Sequence, residues 1–209
     1  MANDTEWLIK RNAKFGFAGK GGNNAEFHNH NDVGSFIIAK DGNHIFTDPG
    51  SAVYTRQYFA SGTRYDVLET QSLGHSVPII NGMGQKAGRE YLAREFDFKD
   101  NVFSFDISEA YGNAALKSLK RSFHFSDSAV TLCDKFDSTA DLEITERFVF
   151  NCKVEVCDGY FEADGIKVTP NAYASFEISS VTLTRGNELY ILDFKLGSGT
   201  SEFVLNIEI

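Results

Sequence analysis

The stretch SFIIAKDGNHIFTD (residues 35–48) reads as two short apolar runs, SFIIA and HIFTD, folded back about the pair Asp41-Gly42. An Asp-Gly pair tolerates the positive φ angles of a two-residue turn, so the segment predicts an antiparallel β-hairpin. The same pattern continues along the chain. Apolar runs recur as SVPII, REFDF, NVFSFDI, SFHFS, AVTLCDKF, EITERFVF, YASFEI, VTLTR, LYILDF and EFVLNI. Turn pairs stand between them at Asn81-Gly82, Asp158-Gly159, Asp164-Gly165 and Gly186-Asn187. No stretch of helical period and useful length competes, and there are only 3 prolines. Strands this numerous at hairpin spacing predict an all-β fold with little or no helix, an antiparallel sandwich or a barrel.

Composition bounds what such a fold can do. With 209 residues, 42% hydrophobic and 13% aromatic, the chain can bury a substantial core. Its net charge of −9 excludes nucleic acid as a partner, because phosphate binding needs clustered Lys and Arg and no basic stripe is visible. The same charge argues against a wide grip on an acidic polysaccharide, although a local basic cleft overrides a global sign. The N-terminal MANDTEWLIKRNAKFGFAGK holds no apolar run long enough for a signal peptide or a membrane span, so a soluble chain with no membrane partner is expected. Cys133, Cys152 and Cys157 are too few and too scattered for a disulfide framework and read as buried or edge thiols.

Just ahead of SFIIA lies HNHND (residues 28–32). In an extended backbone residues two apart leave the same face, so His28 and His30 would reach one site or two adjacent ones. Asp48 ends the second strand of the hairpin, which is expected to bring it back towards His30. His75, in SLGHSVPIING, is expected to open the next strand and complete a His-Asp-His set. With one open position such a set matches zinc ligation by nitrogen and oxygen donors. Each residue also has a plain structural account, His-x-His as a polar loop and Asp before Pro-Gly as a turn residue. Their conjunction is what favours a metal. His44, in DGNH, reads as solvated, and His124, in FHF, as facing away from its two phenylalanines. From Ser51 to Gly74 clean alternation is lost, and long loops on a β scaffold are where function usually sits.

These residues carry a resemblance. The HNHND cluster, the DPG turn, the RY pair at 64–65 and GHSVPIING followed by Gln85 occur in the order found in the heparinase II/III-like polysaccharide lyases. The chain resembles the C-terminal, supersandwich-like β-sandwich of that family over about residues 15–88, and beyond that it is compatible in being all β. The resemblance implies part of a lyase that cleaves uronic-acid-containing glycans, heparin- or heparan-sulfate-like or alginate-like, by β-elimination. It places His28 as the active-site histidine, a base or a donor on the carboxylate side. It places His30, Asp48 and His75 as ligands of a Zn2+ that holds loops in place. Asn29 and Asn31 would orient the imidazoles, with Asn29 also close to substrate. Tyr65 and Tyr58 are candidates for acid or base work, or else packed aromatics. Arg64 and Arg56 would pair with a substrate carboxylate, or are surface charges.

Family members place an α/α toroid of helices before the sandwich, whereas here only residues 1–14 precede FGFAGKGG. Residues 1–209 are therefore expected to be one sandwich domain, the C-terminal part of a larger lyase or else a natural single-domain descendant, binding metal with little turnover alone. The toroid is then its missing partner and an acidic polysaccharide its substrate. The full-length protein is expected to be periplasmic or secreted, with a cytoplasmic place left open. Two other functions compete. A cupin-like metal enzyme would explain Gly22 spaced five residues before His28-x-His30, but Val33, Gly34 and Ser35 stand where a cupin needs Glu. A noncatalytic carbohydrate-binding or interdomain module would use exposed aromatics, yet 19 Phe against one Trp suggests core rather than platform.

Overall fold

In the computed structural model, which describes residues 6–56, 58–60 and 62–209, the hairpin at Asp41-Gly42 forms. Its strands Phe36–Lys40 and Asn43–Phe46 pair antiparallel, with Lys40 opposite Asn43. Asp41 and Gly42 take φ of 49° and 85°, the left-handed pair that a type I′ turn requires.

That hairpin lies in the middle of an eight-stranded sheet. Its order is Trp7–Arg11, Gly16–Lys20, Phe36–Lys40, Asn43–Phe46, Ile144–Phe150, Glu188–Lys195 and Ser175–Thr182, with Ile79–Ile80 paired to the start of Ile144–Phe150. A second eight-stranded sheet runs Glu155–Val156, Phe161–Ala163, Ile166–Pro170, Glu202–Glu208, Ala129–Ser138, Leu116–Phe125, Val102–Asp106 and Arg94–Lys99. A short ladder joins Asn23–Asn24 to Gly88–Leu92. All these pairings are antiparallel. The fold is an antiparallel β-sandwich.

Phenylalanine fills the space between the sheets. Phe17 of the first sheet sits 4.9 Å from Phe123 and 4.8 Å from Phe125 of the second, and Phe148 sits 6.1 Å from Phe203. Each fully buried ring contributes roughly 1.5–3 kcal/mol over an exposed one. The aromatic mass is therefore mostly core. On Leu116–Phe125 the inward positions include Leu119, Phe123 and Phe125, and His124 faces out. Arg121 shares the inward parity and is fully buried.

A charged group in that position needs partners. Asp134 lies directly opposite on the neighbouring strand and accepts from Arg121 Nε at 2.9 Å and Nη2 at 2.5 Å. Glu146 reaches across from the first sheet to Nη2 at 3.3 Å. Nη1 donates to the carbonyls of Gly34 (2.9 Å) and Ser76 (2.8 Å). The core is thereby tied to two loops, and those loops carry His30 and His75.

Some elements differ from the sequence-based expectation. YASFEI and VTLTR merge into one edge strand, Ser175–Thr182. SVPII yields only Ile79–Ile80, because Pro78 has no N–H for a ladder and the Val77 N–H is turned back to His75 O. His75 therefore does not open a strand; it follows the last of three 3-10 turns, Arg64–Asp66, Leu68–Thr70 and Ser72–Gly74. Helix is confined to these and to Ser108–Tyr111 among the described residues.

Candidate functional site

The HNHND corner is pinned from several sides. Lys20 and Asp32 form a buried ion pair at 2.5 Å. Gln85 pairs its side-chain amide with Val33, donating to the carbonyl at 2.6 Å and accepting from the N–H at 3.1 Å. Asn31 N–H donates to Thr70 O at 2.9 Å. Gly34, at φ 90°, packs where a Cβ would fall 2.9 Å from Ile107, so only glycine is accommodated without rearrangement. His28 has φ 58°, so the backbone at the pair is not extended. The expected same-face arrangement is replaced by a turn that leaves His28 exposed and His30 half-buried.

Three candidate ligands meet as the sequence spacing suggested. The donor atoms of His30, Asp48 and His75 all lie within 4.8 Å of one another, and the two imidazole rings are 5.3 Å apart. In the DPG turn, Gly50 N–H holds Asp48 Oδ1 at 2.7 Å, and Oδ2 stands 3.2 Å from His75 Nδ1. His75 Nε2 faces Glu69 O at 3.1 Å. A carbonyl only accepts, so Nε2 carries a proton, and Nδ1, which faces the Asp48 carboxylate, offers its lone pair to a metal only when it is deprotonated. Tetrahedral zinc with bonds of about 2.0–2.1 Å sets neighbouring ligand atoms roughly 3.3–3.4 Å apart. The Asp48–His75 separation is close to that edge, and two imidazoles with a carboxylate are a donor set that zinc takes, so the residues present suit a zinc ion. Asn31 Oδ1, buried beside His30, also lacks a hydrogen-bond partner among the described residues.

The three groups are electrostatically coupled. Burial opposes charge on Asp48, yet the His75 ring and the Gly50 N–H outweigh it and hold the carboxyl well below the usual carboxylate range. Burial would lower His75, but the charge and hydrogen bond of Asp48 raise it above its ordinary value. His30 is lowered by burial and then by His75. The Asp48–His75 attraction is fully present above the ordinary Asp value of 3.8 and below the ordinary His value of 6.5. It fades as pH falls through the depressed Asp48 pKa or rises through the raised His75 pKa. In excess chelator, the melting-temperature gap between wild type and Asp48→Asn is therefore expected to be widest between about pH 4 and 6.5. A gap that grows from pH 7 to 9 contradicts this.

Around His28 the other candidates divide. Arg64 Nη2 donates to Asn29 O at 2.6 Å, and its guanidinium lies 4.8 Å from the Tyr58 ring and 5.8 Å from the Tyr65 ring. Tyr65 OH donates to Asn29 Oδ1 at 3.4 Å, and Asn29 Nδ2 donates to His30 O at 3.0 Å. Tyr65 and Arg64 are thus half-buried beside the histidine turn, while Tyr58 is 3% exposed under Arg64. Arg56 is exposed. Sequence reasoning missed Lys20, Gln85 and Glu69 as supports. Lys20 ends the strand Gly16–Lys20 at a buried position, and a charge there was the available signal.

An antiparallel β-sandwich bearing a His-Asp-His corner at its loop end defines the class of protein. The chain belongs to the family described as heparinase II/III-like, C-terminal, whose profile matches residues 4–202. No curated protein matches the sequence. Among solved structures, a heparinase III gene product aligns with TM-score 0.75 at 14% identity, covering 97% of this chain and 34% of that one. The heparan sulfate lyase HepC from Pedobacter heparinus aligns with TM-score 0.68 at 13% identity, again over 97% and 34%. Another heparinase III aligns at 0.69, 15% identity, 96% and 35%. These likenesses concern the fold, and the chain spans about a third of the length of the heparinases it matches. The cupin alternative falls with the family assignment and the sandwich architecture.

Proposed function

We propose that this chain is the sandwich domain, spanning residues 1–209, of a polysaccharide lyase that cleaves uronic-acid-containing glycans by β-elimination, with a helical toroid domain completing the cleft. The carrying observation is the meeting of His30, Asp48 and His75 beside an exposed, left-handed His28 in a chain of this family. The matched structures bear the names heparinase III and heparan sulfate lyase, which favours heparan-sulfate-like substrates over alginate-like ones.

β-Elimination needs a base for the proton beside the uronate carboxylate, a positive or hydrogen-bonding partner for that carboxylate, and an acid for the departing glycosidic oxygen. His28 is exposed at the turn and takes the first or second role. Tyr65, hydrogen-bonded to Asn29, is the candidate for proton transfer to the leaving oxygen, with Tyr58 packing beneath. Arg64 and Asn29 meet the substrate's acidic and hydroxyl groups at the same rim. His30, Asp48 and His75 would hold Zn2+, which cross-links the loops that carry His28 and Tyr65. The pairing of roles has a direct test in the full-length protein. His28→Ala is expected to lower turnover by a factor of roughly 10²–10⁴, the range for a lost acid–base group, with metal content unchanged. Turnover is followed by the ultraviolet absorbance of the unsaturated product. Loss of metal in His28→Ala, or unaltered turnover, overturns the division between catalytic and ligating histidines.

A further inference from the structure

The turn at 183–187, more than a hundred residues from any ligand, touches both halves of the metal corner. It joins the edge strand Ser175–Thr182 to Glu188–Lys195 and is closed by Leu183 N–H to Asn187 O and Gly186 N–H to Leu183 O. At its tip the Thr184 hydroxyl accepts from the Val53 N–H at 2.9 Å and donates to Glu69 Oε1 at 2.6 Å. Thr184 N–H donates to the same oxygen at 2.7 Å. Glu69 is buried, and its backbone carbonyl is the acceptor for His75 Nε2. Val53 closes the segment that begins at Asp48. The neighbouring Arg185 holds that segment too, donating from Nε to Ser51 O at 2.6 Å and from Nη2 to Ala52 O at 3.1 Å. Below the turn, Leu183 packs in a small apolar cluster that Leu68 joins.

We propose that Thr184 is a positioning residue of the metal site, its hydroxyl locking the Asp48 segment to the carbonyl that sets the His75 tautomer, with Arg185 bracing the Asp48 side. The inference rests on His30, Asp48 and His75 being the zinc ligands. The physical reason lies in ligand orientation: an imidazole whose second nitrogen is anchored, and whose partner carboxylate is fixed at the right separation, presents its lone pair without first being ordered. Without the Thr184 hydroxyl, Glu69 loses one of its two donors from Thr184, and the 48–53 segment keeps the Asp48–His75 contact but loses the tie that runs from Val53 to Glu69.

The test is a zinc competition titration against a chelator on wild type, Thr184→Val, Thr184→Ser and His30→Ala. Thr184→Val keeps the side chain's shape and is expected to weaken zinc binding by about tenfold, the lower range for lost support of a ligand. Thr184→Ser restores the hydroxyl and is expected to bind within about twofold of wild type, a rescue that a packing role would not give. In zinc-free protein the Val53 amide should exchange faster in Thr184→Val than in Thr184→Ser. If Thr184→Val does not fold, Arg185→Met loosens the Asp48 side from an exposed position and is expected to weaken zinc severalfold. Equal zinc affinity in wild type and Thr184→Val, or in Arg185→Met where that variant replaces it, overturns the positioning role. Absence of zinc binding in wild type instead overturns the ligand set itself, and the positioning role falls with it.

Discussion

Asp134→Ala is expected to destabilise the chain by roughly 3–5 kcal/mol, the cost of leaving one member of a buried ion pair without its partner. Arg121 and Asp134 are both fully buried and joined through two guanidinium nitrogens, so the variant leaves the guanidinium charge buried without its main counter-charge. Glu146→Gln should behave differently. Burial, and then the nearby Asp134 charge, raise the Glu146 carboxyl well above its ordinary value, so a neutral group is better tolerated at this position than at Asp134. A neutral amide of the same shape is therefore expected to cost no more than about 1–1.5 kcal/mol, the worth of an ordinary hydrogen bond. Urea unfolding of both variants checks this. Similar large losses in both would mean that Glu146 is ionised. The consequence reaches beyond stability, because the same guanidinium holds the Gly34 and Ser76 carbonyls.

The second large effect concerns the proposed zinc ligands His30, Asp48 and His75. A structural zinc site contributes about 10–16 kcal/mol of apparent binding free energy, so each of its four positions carries about 2.5–4 kcal/mol. Removing one protein ligand, as in Asp48→Ala, is therefore expected to weaken zinc by on the order of a hundredfold or more. The same substitution also strips His75 of the carboxylate that raises its pKa, so a weakened site would lose some of its pH sensitivity. Isothermal titration at pH 6 and pH 8 reads both effects.

Much of the fold was legible because turn chemistry is local. Asp41-Gly42 fixes a hairpin and Asn81-Gly82 a tight turn closed by a single Ile80–Met83 bridge, through φ values that few other pairs accept, 49° and 85° at the first and 52° and 71° at the second. The turn at Asp100-Asn101, with φ of 51° and 60°, went unread because two non-glycine residues in the left-handed region are a weaker signal. The meeting of His30, Asp48 and His75 was partly legible because Asp48 and His30 flank one hairpin, whereas the turn that carries His30 is set by tertiary contacts of Asp32 and Val33. His28 was misjudged in geometry, since spacing of two implies a shared face only when the backbone is extended. Arg121 sits in a run where Leu119, Phe123 and Phe125 share its parity, so its burial followed from period two; its partners did not, because Glu146 belongs to the opposite sheet. Thr184 carries no local signal. Its role comes from a tertiary contact with residues 131 and 115 positions away.

The most direct test of the account is the zinc content of the purified chain by mass spectrometry, with His30→Ala and Asp48→Ala alongside. About one zinc per chain in wild type, lost in both variants, is the predicted result. Wild-type protein free of metal after purification without chelator, or variants that retain the wild-type zinc content, would contradict it.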